Sequence, residues 1–228
     1  VGVHIYNIDP IKNKEDVVWY ISGQDLLSIG RLFITGVPDY TKYVSVGGSK
    51  NHNINQYYKI LWGTPISYLI SDNMLEDQCR LVSGDIFSGE ITKKENPIGF
   101  YDETVSIVSE KGKRELLGWL LPGFKKYSLS RTFVSSLINK KNTIFNTNKN
   151  GSKRAIIPIG NIEKYLPLDV LITPLLKAII ARDIDTMEKL GIYECSPEDF
   201  SLCTFVDASK MNIGRIIQDG LDIMELEG

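Results

Sequence analysis

Apolar and polar positions along the chain change period more than once, and the changes divide it into stretches. Val17 to Ile21 is a run of β-branched and aromatic residues that predicts a buried strand. Ser22-Gly23-Gln24-Asp25 follows, with a carboxylate three residues after a serine, the spacing of a capping box. Leu26, Leu27, Ile29, Gly30, Leu32 and Phe33 then recur at helical spacing up to Gly36, a natural stop. Tyr43 to Val46 alternates as a strand does and runs into Gly47-Gly48. Strand, helix and strand in this order read as the end of an α/β layer. With no helical pattern after it and no G-x-G-x-x-G, Gly47-Gly48 does not read as a phosphate loop.

A second pattern runs from about Asn55 to Gly123. Tyr57 to Leu61 and Cys79 to Val82 read as strands, and Thr64-Pro65 as the capped start of a short helix through Ile66, Tyr68 and Leu69. Thr104 to Val108 and Glu115 to Leu120 flank Glu110-Lys111-Gly112-Lys113 and predict a hairpin. Strands with one short helix near the start suggest a β-grasp. Ser83-Gly84 and Ser88-Gly89 read as tight turns rather than phosphate ligands.

The remainder has helical period. Expected helices cover Arg131 to Ile138, a segment capped by Thr173-Pro174 with Leu175, Leu176, Ile179 and Ile180 on one face, and Asp183 to Leu190, stopped by Gly191. Ser196-Pro197-Glu198-Asp199 opens another, with early acids that suit the helix dipole. Ile213, Ile216, Ile217, Leu221 and Met224 stripe the last, as a core-facing helix does. The class is α+β.

Composition adds little to this, and charge distribution adds more. The net charge of −2 gives no general reason to expect nucleic acid. From Leu116 to Ile162, however, there is no Asp or Glu, while Lys125, Lys126, Arg131, Lys140, Lys141, Lys149, Lys153 and Arg154 all fall there. Either this stretch is neutralised by the acidic C-terminal residues, or it is a basic face for a partner or anionic lipid. Cys79, Cys195 and Cys203 form no C-x-x-C pair, which argues against a disulfide framework. No run approaches the ~20 apolar residues of a membrane span. No signal peptide is visible and the first residue is Val, so the chain reads as a piece of a longer protein.

Candidate chemistry is sparse. Between Asn150-Gly151 and Thr173, three prolines, Pro158, Pro167 and Pro174, bound short pieces that read as a buried connector, with Ser152, Lys153 and Arg154 as a small cationic group. His4 and His52 lack zinc spacing, and no carboxylate pair or Ser/His/Asp order stands out. No catalytic, cofactor-binding or metal residue is assigned.

The run Asn150-Gly151-Ser152, Pro158-Ile159-Gly160-Asn161 and Leu166-Pro167-Leu168-Asp169 resembles the signature segment of the A subunits of the bacterial Na+-translocating NADH:quinone reductases. Further likeness runs along the whole chain, including Ser83-Gly84 to Ser88-Gly89 and Leu202 to Val206. The resemblance implies three parts. Residues 1–54 would be the end of a Rossmann-like domain, 55–123 a soluble-ligand-binding β-grasp unit, and 124–228 a helical, ferredoxin-like domain.

Related proteins of Rnf-type complexes carry two C-x-x-C-x-x-C-x-x-x-C-P runs in that last part, each supplying cluster thiolates. Laid onto this chain, the spacing falls on Ile156, Ile159, Ile162 and Leu166, and on Pro197, Phe200, Cys203 and Asp207. One thiolate in eight positions cannot hold a cluster, so the helices are expected to persist with apolar residues filling the vacated volume. Asp207-Ala208 stands where the family pattern implies Cys-Pro.

The resemblance further implies a peripheral subunit on the cytoplasmic face of the bacterial inner membrane, supporting electron transfer from NADH to ubiquinone coupled to Na+ export. NADH, flavins, an iron–sulfur centre and ubiquinone would be held by other subunits or segments, and none by this chain. The membrane-embedded B subunit is the implied principal partner, with quinone a further candidate and nucleic acid excluded. The alternative is a free-standing β-grasp module that captures a ligand.

Overall fold

The computed structural model describes residues 1–48, 56–71, 79–110, 117–118, 120–124, 126–138, 146–149 and 151–228. Its helices and strands run α1 (Gly2–Ile8), α2 (Gly23–Thr35), β1 (Thr41–Gly48), β2 (Gln56–Leu61), β3 (Cys79–Ser83), β4 (Glu90–Thr92), β5 (Thr104–Ser109), α3 (Ile172–Ala181), α4 (Ile184–Lys189), α5 (Ser201–Val206) and α6 (Ile213–Glu227). Two compact units result: Ile21–Asn150, and Val1–Tyr20 together with Gly151–Gly228.

The Ile21–Asn150 unit is built on a mixed five-stranded sheet in the order β2-β1-β5-β3-β4. β1 and β5 are parallel at the centre, and the other neighbours are antiparallel. Alternation sets which side chains point inward. Val44 and Val46 of β1, Leu81 of β3, and Val105 and Ile107 of β5 line one core, closed by Ile66, Leu69 and Ile70, in and just after a single 3-10 turn (Ile66–Tyr68), and by Ile98. Burying each such side chain is worth about 1.5–3 kcal/mol. Gly48 is required by the pairing, because a Cβ there would collide with the backbone of Ile107. It sits inside a strand and not in a phosphate loop.

α2 follows its sequence signals. Ser22 Oγ accepts from Asp25 N–H at 3.1 Å and donates to the Asp25 carboxylate at 2.8 Å, and Gly36 ends the helix in the left-handed region at φ 71°. Other expectations need correction. Val17 to Ile21 forms no strand, and all five residues are exposed, because no described strand offers them a ladder or a cover. The strand expected at Tyr43 to Val46 exists as β1, but it pairs with β2 and β5 rather than closing an α/β layer with 17–21. Pro65 stands at the N-cap, not the first helical position, of a turn only three residues long. β4 carried no sequence signal because its exposed residues do not alternate strongly. Of the expected second hairpin strand, residues 115, 116 and 119 lie outside the described residues, while Leu117, Gly118 and Leu120 are in turns. The expected helix at 131–138 is only a 3-10 turn, Val134–Ser136. Arg131 takes φ 54°, and the β-branched, aromatic and serine residues after it favour helix weakly.

The second unit is helical. α3, α4, α5 and α6 enclose Ile172, Leu175, Leu176, Met187, Ile192, Phe200, Ile213, Ile217 and Met224. Asp183 caps α4 by accepting from Thr186 N–H at 3.1 Å, and Gly191, at φ 80°, turns the chain after it. α3 begins at Ile172 with Leu171 as its cap, so Thr173-Pro174 lies inside its first turn; the Thr173 hydroxyl instead donates to Glu163 at 2.6 Å. Gly151 to Ala155, Ile157, Pro158 and Ile159 are exposed, so the expected buried connector runs over the surface in its first part, while Ile162, Leu168, Ile172 and Thr173 farther on are buried. Among the described residues, no helix is long and apolar enough to cross a membrane.

Candidate functional site

The helical unit brings the two cysteine-spaced runs together at one point. Cys203, in α5, is fully buried, and its thiol faces the Ile162 carbonyl with sulfur and oxygen 3.7 Å apart. Phe200 is also fully buried and Ile162 nearly so, while Ile156 and Leu166 are half-buried against the same core. Ile159 departs from the expectation that apolar residues refill the vacated volume, since it is 55% exposed. Burial, with a smaller contribution from Glu163, pushes the Cys203 thiol up to about 11. It is a protonated, inert thiol near neutral pH.

Asp207, the other departure from cluster spacing, is only 3% exposed. One carboxylate oxygen accepts from Ser209 N–H at 3.0 Å and the other from Met211 N–H at 2.9 Å. Ser209 is fully buried in turn; its carbonyl accepts from Arg154 N–H at 2.8 Å and its hydroxyl oxygen from Ile157 N–H at 3.3 Å. The carboxylate therefore shapes the α5–α6 connection, and that connection holds the 154–157 segment in place. Spacing located Asp207, but only the loop geometry gives it this role. Among the described residues, no group of three or more His, Cys, Asp or Glu could hold a metal.

The same unit contains a cavity of about 160 Å³ lined by Ile5, Tyr6, Tyr20, Tyr193, Cys195 and Glu198 among others. Burial pushes the Cys195 thiol to about 12, with Glu194 and Asp199 adding to it, so it offers no nucleophile there. Ser152, Lys153 and Arg154 are all exposed.

In the sheet unit, alternation gives β1 an unusual inward residue. Lys42 shares the core face with Val44 and Val46 and is 3% exposed. Its ammonium donates to the Phe100 carbonyl at 2.6 Å and lies 4.2 Å from the Trp62 ring centroid, a cation–π arrangement. Trp62 packs against Phe100 with ring centroids 4.2 Å apart and the planes tilted by 38°, and Phe100 meets Tyr101 edge-on at 4.9 Å. Burial lowers the Lys42 pKa, while Asp25, Glu103 and Asp102 act in the opposite sense. This constellation escaped the sequence reading. The signal was available in the lysine two residues before Val44, on the valine side of the alternation.

A family model described as the NqrA second alpha/beta domain matches residues 1–38. The full chain is 38% identical to the A subunit of a Na(+)-translocating NADH-quinone reductase from Rhodopirellula baltica and 39% identical to one from Pasteurella multocida, covering 50% of each. It is 35% identical to that of Neisseria meningitidis serogroup B, covering 51%. These relatives are subunits of an oxidoreductase complex. Over its whole length the chain is similar to these NqrA subunits of Na+-translocating NADH-quinone reductases. It spans about half the length of the curated relatives it matches, in keeping with their C-terminal portion.

Proposed function

We propose that the chain is a scaffold portion of a peripheral subunit of a Na+-translocating NADH:quinone reductase, and is not catalytic alone. Similarity along the whole chain to NqrA proteins carries this reading. In it, the chain supports electron transfer from NADH to ubiquinone coupled to Na+ export, at the cytoplasmic face of the bacterial inner membrane. NADH, flavins, the iron–sulfur centre and ubiquinone sit on other subunits or segments. The membrane-embedded B subunit is the principal partner, and quinone a further candidate.

The finer folds follow the same reading. The sheet order β2-β1-β5-β3-β4, with β1 parallel to β5, supports a β-grasp module. The family match over residues 1–38 supports reading residues 1–54 as the end of a Rossmann-like domain. The burial of Phe200, Cys203 and Ile162 supports a ferredoxin-like helical domain, formally 124–228, that keeps its packing without clusters. A tagged protein containing this chain, purified from bacterial membranes, should bring down the membrane-embedded subunits in stoichiometric amounts. Recovery of the tagged protein by itself, under conditions that keep the complex intact, would defeat the proposal.

A further inference from the structure

Two rigid turns at one end of the β5-β3-β4 side of the sheet carry largely exposed apolar side chains. The β3–β4 turn presents Ile86, 60% exposed, and Phe87, 50% exposed; the turn before β5 presents Phe100, 62% exposed, and Tyr101, 82% exposed. Neither turn is loose. Asp85 accepts from Phe87 N–H at 2.6 Å, Ser88 N–H at 2.9 Å and the Ser88 hydroxyl at 2.8 Å. Gly84 takes φ 94°, and its N–H donates to the Thr104 carbonyl at 2.8 Å.

The turns share a base. The Ser83 hydroxyl donates to Asp102 at 2.6 Å and accepts from Gly99 N–H at 2.8 Å, while the Ser106 hydroxyl donates to the Gly84 carbonyl at 2.9 Å. A Cβ on Gly84 would stand 3.0 Å from Asp102 Oδ1. This explains the Ser83-Gly84 to Ser88-Gly89 run: it holds two apolar tips in fixed positions. Aromatic anchors on a pre-organised surface are what protein-binding hot spots use, because little side-chain or loop entropy is lost on docking.

Charge selects the occupant. Asp85, Glu90, Asp102 and Glu103 lie in or beside the two turns, and no Lys or Arg falls within 81–92 or 95–109; Lys93 and Lys94 follow β4, and Glu110, past the far end of β5, pairs with Arg80. Lys42, the cation beneath Phe100, is buried. An acidic surround repels anionic lipid and suits a surface rich in Lys and Arg, as cytoplasm-facing loops of membrane proteins are.

We infer that the 84–89 and 99–102 turns form a docking surface for a basic, apolar-pocketed loop of a membrane-embedded partner protein. The inference rests on the proposed function for the existence of that partner. Its test is the whole complex, purified from membranes through a tag on the protein that contains this chain. Phe87→Ala with Tyr101→Ala should lower recovery of the membrane subunits at least tenfold, while the variant's thermal unfolding matches wild type. Glu90→Gln with Glu103→Gln should weaken recovery less and flatten its salt dependence. Normal recovery of both variants, with wild type assembling, overturns this inference alone. Failure of wild type to bring down membrane subunits overturns it together with the proposed function. Binding of the chain to phosphatidylglycerol vesicles that the Phe87→Ala/Tyr101→Ala variant loses would make lipid the occupant and also overturn it.

Discussion

The buried thiol of Cys203 and the carbonyl oxygen of Ile162 face each other at 3.7 Å, joining the only cysteine left by two cluster-like spacings to a residue of the other spacing. Burial pushes the Cys203 thiol up to about 11. Cys203→Ala should cost on the order of 1 kcal/mol, the loss of a small buried group, and Cys203→Asp distinctly more because it buries an unpaired charge. Chemical denaturation of the purified chain measures both. Protein prepared without oxygen should be colourless and free of stoichiometric iron and sulfide. A brown preparation whose colour is lost in Cys203→Ala would refute the reading.

The same thiols set a pH dependence. Cys195 and Cys203 are raised from 9.0 to about 12 and about 11. A raised folded-state pKa contributes stability below the unfolded value of 9.0 that is lost as pH climbs through the folded values. Wild type should therefore lose stability relative to Cys195→Ala/Cys203→Ala between pH 9 and 11. Parallel stability curves over that window would mean that the thiols are not desolvated in the fold.

Asp207 is buried, and its carboxylate contributes to stability through the main chain. Asp207→Ala leaves the Ser209 and Met211 N–H groups without their acceptor. The expected cost is about 1–3 kcal/mol. Asp207→Asn, which keeps one acceptor oxygen, should recover part of it. Equal unfolding midpoints for Ala and wild type would show that the loop is held by other means.

Lys42 gives an opposite pH signature. Its pKa lies below 10.5 because burial disfavours the ammonium. As pH rises through the depressed folded value toward 10.5, the folded state gives up a proton that the unfolded state keeps, so stability rises. Lys42→Met abolishes that rise. The difference between the two stability profiles above pH 8 isolates it from the cysteines. A flat difference would place the ammonium in solvent.

The basic stretch yields a further test. Lys149, Lys153 and Arg154 are exposed, whereas Lys126 donates to the Gly118 carbonyl at 2.6 Å; Lys125, Lys140 and Lys141 lie outside the described residues. Charge reversal at Lys149, Lys153 and Arg154 should weaken assembly with membrane subunits most at low salt, since screening acts over ~8 Å at physiological ionic strength. Unchanged recovery across a salt series would leave these residues as balance for the acidic C-terminal segment.

Much of this fold was legible where local chemistry is self-sufficient. Ser22 and Gly36 bound α2, Asp183 and Gly191 bound α4, and the stripe from Ile213 to Met224 is α6. Legibility failed where structure depends on a neighbour. Val17 to Ile21 has strand composition but no described ladder, and β4 owes its strand to β3 rather than to its own residues. The Lys42–Trp62–Phe100 cluster joins residues far apart in sequence, and Asp207 matters through main-chain N–H groups that any sequence supplies.

The central claim is that these residues are a non-catalytic part of a Na+-translocating NADH:quinone reductase. The direct measurement is NADH-driven, Na+-stimulated ubiquinone reduction in membrane vesicles from cells whose NqrA protein carries or lacks the segment corresponding to this chain, set beside the isolated chain. The account predicts that removing the segment abolishes assembly and activity together, and that the isolated chain neither turns over NADH nor binds a small ligand saturably. Full activity without the segment, or a micromolar ligand for the isolated chain, would contradict it and favour a free-standing binding module.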